Sequence, residues 1–311
     1  MRGPAAATPV LTRDVETGFG PWRDGLAGIA IFSGSLVATR LALGGFEAFF
    51  LTAARAALAG LAAGLALAAA DRRRPRAGDL ASLALVALGV VIGFPFLTAL
   101  ALQRVGAAHA TVFVGLLPLA TALFGALRAG ERPGRRFWLF SLLGSAVTVA
   151  FAARGLGTAS LAGDGLMLAA ILVCGLGYAE GGRLARRLGG WQVIAWALVL
   201  SLPLSLPLML LWWPAAPAEA PASALLGLAY VALFSMLIGF VFWYRALARG
   251  GIAAIGQLQL LQPFLGLVAA ALILGERLEP AMFAAAAAVV ACVAAARRSA
   301  LSPARNSPDR G

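Results

Sequence analysis

Ten long apolar stretches, separated by short polar breaks, run along the chain. Each approaches the length of about 20 residues that a helix needs to cross the hydrocarbon core of a bilayer. They fall roughly at 25–43, 46–70, 80–102, 107–127 and 136–153, then at 164–182, 190–213, 222–245, 251–274 and 279–296. Arginine clusters, prolines and glycines mark the breaks. The pattern predicts an all-α integral membrane protein of ten transmembrane helices.

The apolar pattern also repeats. Residues 101–132 align without a gap onto residues 246–277, and twelve of the 32 positions are identical. Alanine and leucine matches mean little in such a composition. The informative identities are Arg104/Arg249, Gly106/Gly251, Pro118/Pro263 and the Gly-Glu-Arg triplets at 130–132 and 275–277. Asp24-Gly25-Leu26 is echoed at Asp164-Gly165-Leu166, and Ile92-Gly93-Phe94 at Ile238-Gly239-Phe240. Five helices per half is an odd number, so the two copies cross the membrane in opposite senses. Inverted repeats of this kind place a binding site near the midplane, between halves that rock. The expected organisation is a tail at 1–23, a five-helix repeat at 24–155, a second at 164–297 and a tail at 298–311.

Composition agrees with the membrane reading. Hydrophobic residues make up 61% and charged residues 12% of the chain, and the mean hydropathy is +0.89. A soluble domain carries about 25% charged residues. The net charge of +12 is carried by 25 basic residues, all arginine. With the N-terminus inside, 20 of them fall in cytoplasmic segments, Arg104, Arg154 and Arg277 fall outside, and Arg40 and Arg55 lie within helices. Such asymmetry sets the orientation of a membrane protein, with both ends cytoplasmic. Clustering in loops argues against a nucleic-acid partner. The residues before the first apolar run are too long and polar for a signal peptide, so that helix reads as an uncleaved anchor. The surplus of Ala, Gly and Arg suggests a GC-rich bacterial genome, hence the inner membrane.

At these residues the chain resembles the drug/metabolite transporter superfamily, in particular EamA-type transporters. The resemblance rests on Leu117-Pro118 followed by Gly130-Glu131-Arg132, on Gln262-Pro263 followed by Gly275-Glu276-Arg277, and on Arg55 early in the second helix. It covers about residues 24–297. It implies a central cavity lined mainly by the third, fourth, eighth and ninth helices, with help from the first and sixth. It also implies export or exchange of small solutes such as amino acids or amines. Two departures stand out: Ile31-Phe32-Ser33-Gly34 replaces the tryptophan-glycine pair of many relatives, and lysine is absent. The second argues against nucleotide-sugar and phosphate-sugar substrates.

An ionisable residue at membrane depth costs at least about 2.5–3.5 kcal/mol and is a functional candidate by default. Arg55 is the first such candidate: it either holds an anionic group bidentately or ties the first helices together. Arg40, near the outer turn, reads as snorkelling. Gln259 and Gln262 share a face at i,i+3 spacing, with Gln257 pointing elsewhere. Pro263 lacks an N–H and so frees the carbonyl of Gln259. The amides suit cavity lining or helix–helix bonding, and Pro118 and Pro263 would be gating breaks. Ser235, Trp243 and Tyr244 of the eighth helix and Tyr178 of the sixth suit an aromatic wall for amino acids or amines. The interfacial belt is the competing reading for Trp243 and Tyr244. Glu180 pairs with Arg183 or sits in the cavity, and His109 marks an outer helix end.

Cys174 and Cys292 lie in apolar runs and read as small hydrophobes. No metal set, Walker A loop or dinucleotide fingerprint is present, so no cofactor, metal or catalytic residue is expected. Gly60-x-x-x-Gly64 and the alanine run 284–288 suit close packing in the bundle or a homodimer. The reading is a secondary transporter, exporter or exchanger, whose partners are a small-molecule substrate and the lipid bilayer. The alternatives are a non-transporting scaffold or sensor, or an integral membrane enzyme.

Overall fold

Lipid offers no hydrogen-bonding partner to the backbone, so a spanning chain of this composition must satisfy its peptide groups within helices. A computed structural model of the protein describes residues 19–70, 73–102, 104, 113–153, 160–214, 219–275 and 280–301, and all of its regular elements are helical. The first half contains α1 (Gly20–Ser33), α2 (Ser35–Ala42), α3 (Ala48–Ala69), α4 (Leu80–Val86), a π-helical segment (Ala87–Gly93) and α5 (Phe94–Leu102). It closes with α6 (Leu117–Ala129) and α7 (Arg135–Ala152). The second half contains α8 (Leu161–Leu188), α9 (Gly190–Leu211), α10 (Ala222–Ala229), a π-helical segment (Tyr230–Ile238) and α11 (Gly239–Gly250). It continues through α12 (Ile252–Gly256), a 3-10 segment (Gln257–Leu261), α13 (Gln262–Leu274) and α14 (Pro280–Leu301).

A helix overlaps each of the ten predicted segments. Among the described residues eight helical stretches are long and apolar enough to cross a membrane; α6 is apolar but shorter, and α7 lies outside that set. Several boundaries move. α11 runs on to Gly250 and α14 to Leu301, the first helix starts at Gly20, which brings Asp24 inside it, and α8 runs on to Leu188. It stops there because Gly189 takes a φ of 94°, a region that residues with a Cβ avoid.

The repeat is visible in backbone geometry. The π-helical segments at 87–93 and 230–238 end at the echoed Ile-Gly-Phe triplets, and each closes with an i→i−5 bond: Phe94 N–H to Gly89 O, and Gly239 N–H to Phe234 O. The Gly-Glu-Arg turns match as well. Gly130 and Gly275 end α6 and α13 in the left-handed region, at φ 69° and 70°, which is the usual reason for glycine at that place.

The halves interlock rather than sit side by side. The equivalent helices α3 and α9 pack on each other, as do α7 and α14. The α1 helix packs on α11 and α13 of the other half, while α8 packs on α5 and α6. Small residues allow the closest crossings. A Cβ on Gly60 would meet the Leu198 carbonyl and the Leu202 side chain of α9, so this glycine serves packing inside the bundle. A Cβ on Gly89 would lie 2.6 Å from the Val173 carbonyl oxygen and 2.9 Å from Gly177 Cα.

Candidate functional site

The first helix is discontinuous. It ends at Ser33 and restarts at Ser35. The Ile31 carbonyl beside the break accepts a hydrogen bond from the Tyr230 hydroxyl at 2.9 Å. Ser33 donates to the Ile29 carbonyl at 2.7 Å and lies 3.3 Å from the Gln262 carbonyl. Ser35 donates to the Ser235 hydroxyl at 2.8 Å. Broken helices at membrane depth are tolerated where protein or a water-lined cavity supplies partners, and here the eighth and ninth helices supply them.

Next to the break stands a cluster of rings. Phe32 lies 5.0 Å from Phe240 and 6.2 Å from Trp243; Tyr178 lies 5.9 Å and 5.6 Å from the same two rings. Tyr244 completes the group 5.4 Å from Phe240 and donates to the Gly177 carbonyl at 3.2 Å. Trp243 and Tyr244 are fully buried, so they form no interfacial belt. The reason is that α11 continues to Gly250 and is covered by α1. Trp243 Nε1 is buried without a hydrogen-bond partner.

Arg55 lies on α3 and interacts electrostatically with Tyr178. It lies seven residues past the first residue of a 22-residue helix, about 10 Å in from that end at 1.5 Å per residue. Its Nε is buried and unpartnered, while the side chain as a whole is half-buried. Among the described residues no carboxylate pairs with it.

In the ninth helix the structure revises the expected chemistry of Pro263. The proline does free the Gln259 carbonyl from an i→i+4 bond, but the Gln262 N–H takes it in a 3-10 turn. Gln259 Nε2 donates to Thr121 Oγ1 of α6 at 3.3 Å, and Oε1 is left without a partner. Gln257 is 1% exposed, with both amide atoms unpartnered. Pro118 and Pro263 both stand in the first turn of their helices, where a missing N–H costs nothing. His109 lies outside the described residues, as do Glu276 and Arg277.

At the arginine-rich end the structure adds Asp24 and Glu131, which were not among the candidate site residues. Asp24, 2% exposed, accepts a bidentate pair from Arg245 at 2.6 and 2.7 Å, with Arg249 at 3.4 Å. Glu131 accepts from the backbone N–H groups of Ile252 and Ala253, both at 2.8 Å, and from Arg186 at 2.7 Å. It thereby caps the start of the ninth helix from the other half. Glu180 is buried and pairs with Arg183 and also with Arg128, at 3.1 Å for the latter. Arg187 pairs with Asp79. The opposite end is looser. Every residue from 92 to 100 is at least partly exposed, on all faces of the helix, and α13 is nearly as open. A helix with lipid on one side and tight packing on the other would show periodic burial. Grooves of about 590 and 460 Å³ lie elsewhere, between α7 and α14 and beside α1 and α14.

A helical bundle of interlocked repeats, with a polar and aromatic centre closed by charge pairs at one end, defines the class: a multi-pass membrane transporter. The chain belongs to the EamA-like transporter family, which it matches over residues 25–152 and 161–297, within the drug/metabolite transporter superfamily. It is 61% identical over 277 residues to YdeK, an uncharacterised transporter of Bacillus subtilis, covering 89% of this chain and 96% of that one. A probable terminal-alkyne amino-acid exporter of Streptantibioticus cattleyicolor is 30% identical over 260 residues, covering 80% and 83%. A solved crystal structure superposes with a TM-score of 0.72 at 26% identity, covering 89% of this chain and 97% of that one.

Proposed function

We propose that the protein is a secondary transporter, an exporter or exchanger of small metabolites such as amino acids or amines. It has ten spans, as two repeats at 24–155 and 164–297, and lies in a bacterial inner membrane with both termini cytoplasmic. The substrate site is the centre bounded by Arg55, Tyr178, Ser235, Trp243, Tyr244, Gln259 and Gln262. The observation that carries this reading is the contrast between the two ends: charge pairs close the arginine-rich end, whereas α5 and α13 are open at the other. Inverted repeats make the reverse state available by exchanging the conformations of the halves. The breaks before Pro118 and Pro263 give the fourth and ninth helices places to bend.

Counterflow in proteoliposomes tests this reading, with labelled amino acids, amines and other small metabolites as the panel. Saturable, solute-selective flux that is reduced in Arg55→Ala or Gln262→Ala is the expected result. Absence of flux for the whole panel, from folded and inserted protein, would favour a scaffold.

A further inference from the structure

We propose that Arg55 is the docking point for the carboxylate of a small monoanionic substrate, and that an amine lacking a carboxylate is not a substrate. This rests on the transporter reading for its setting and narrows the solute class within it.

The argument is one of charge balance. A guanidinium remains protonated inside a protein, and at membrane depth it is normally paired with an acid or with carbonyls. Arg55 has neither among the described residues. The described acids are committed elsewhere. Asp24, Asp79, Glu131 and Glu180 are each held by arginines at the far end of the bundle. Glu47 precedes α3 and is exposed, eight residues and about 12 Å along the axis from Arg55. Asp164 lies in the first turn of α8 and Glu219 precedes α10. The missing counter-ion is therefore supplied by the solute.

Its chemistry follows from what surrounds the cation. One unpaired guanidinium balances one negative charge, which matches a carboxylate better than a phosphate dianion, and its fork fits a carboxylate bidentately. Arg55 interacts electrostatically with Tyr178, which belongs to the buried ring cluster of Phe240, Trp243 and Phe32. That cluster is the proposed contact for an apolar body, with the unpartnered Trp243 Nε1 as one further donor. An ammonium group finds no carboxylate among these residues. A zwitterion is held through its acid end, with its ammonium on ring faces at most; an amine alone would add a second cation beside Arg55.

The test is ligand-dependent thermal unfolding of the full chain in nanodiscs, with sets matched in shape. Leucine and 4-methylpentanoate are compared with leucinamide and 3-methylbutylamine, and benzoate with benzamide and benzylamine, all at millimolar concentration. The acids raise the midpoint of the wild type and the amides and amines do not. Arg55→Gln weakens the acids by about ten-fold or more, the loss expected for one charged bidentate contact, and Arg55→Lys recovers part of it. Without ligand, Arg55→Gln unfolds no earlier than the wild type, because it breaks no internal bond. Acids that bind Arg55→Gln as well as the wild type, amines that bind as well as acids, or no acid binding at all would each overturn the proposal. Vesicle flux separates the two readings. Acid-selective, Arg55-dependent binding without flux removes the transporter and keeps the carboxylate site. Flux of amines independent of Arg55 removes the carboxylate site and keeps the transporter.

Discussion

Glu131→Gln removes one negative charge and one of two acceptor oxygens from the turn that caps the ninth helix. In the wild type the carboxylate receives N–H groups from Ile252 and Ala253 at 2.8 Å and the Arg186 guanidinium at 2.7 Å. The carboxamide keeps one acceptor and turns an NH₂ group towards the other donors. A hydrogen bond to a charged group contributes about 1.5–3 kcal/mol. The ion pair with Arg186 adds less, because that side chain is 33% exposed and water screens it. The helix-dipole share is small, since α12 has only five residues. The sum is about 2–3 kcal/mol in favour of the closed arginine-rich end. Its loss shifts the balance between closed and open by about 30- to 150-fold. Maleimide labelling reads this out in a background lacking Cys174 and Cys292, with Ala246→Cys as reporter and Ala42→Cys as control. Both positions are fully buried, at opposite ends. Glu131→Gln is expected to speed labelling at Ala246→Cys alone. Unchanged labelling there, or equal acceleration at both positions, would refute the latch.

The same reporter tests the repeat. Asp24→Asn, which gives up the bidentate pair with Arg245, speeds labelling at Ala246→Cys, whereas Arg104→Gln slows it by weakening the opposite closed state; effects of the same sign would contradict the equivalence of Arg104 and Arg249. Gly89→Ala costs about 1–3 kcal/mol of stability, because the added methyl meets backbone atoms of α8 that cannot move aside. Gly64→Ala, whose nearest neighbour would be Val199 Cγ2 at 3.7 Å, stays within about 0.5 kcal/mol; equal unfolding midpoints for the two variants would count against the close crossing of the third and sixth helices.

Most of the bundle is legible in the chain because its spacing signals are steric and electrostatic demands. Apolar runs, arginine clusters and the left-handed glycines at 130 and 275 leave few other arrangements. The closing groups were harder to see. Asp24 lies one residue before the apolar run that marks the first helix in the sequence, and the packing of α1 against α11 explains its burial. Glu131 looked like part of a family turn, although its acceptors serve residues 121 and 122 positions away. The clue was present: Asp-Gly-Leu and Gly-Glu-Arg are the repeated triplets that carry an acid. Trp243 and Tyr244 show the converse. Proximity to a helix end suggests an interface, but α11 continues to Gly250 and is covered by α1 and α8, which places both residues inside the protein. In the ninth helix, the 3-10 segment changes which residues align, since side chains three apart eclipse one another there.

The repeat gives the charge pattern its meaning. Arg249 and Arg104 occupy equivalent positions in the two halves, yet their surroundings differ. Arg249 reaches Asp24 at 3.4 Å across the halves, whereas Arg104 is exposed and donates to Leu100 of its own helix at 3.1 Å. Asp164 is the repeat counterpart of Asp24. The arginine of one half thus reaches across to the other half, while its repeat equivalent turns back on its own helix. An inverted repeat needs this asymmetry: if both latches closed together the centre would be sealed, and if both opened it would leak. The cost of breaking one set is offset by forming the other, so the whole change is small compared with either latch alone. Arg55 on α3 pairs with no carboxylate among the described residues, and in the proposed reading its charge is balanced by the solute.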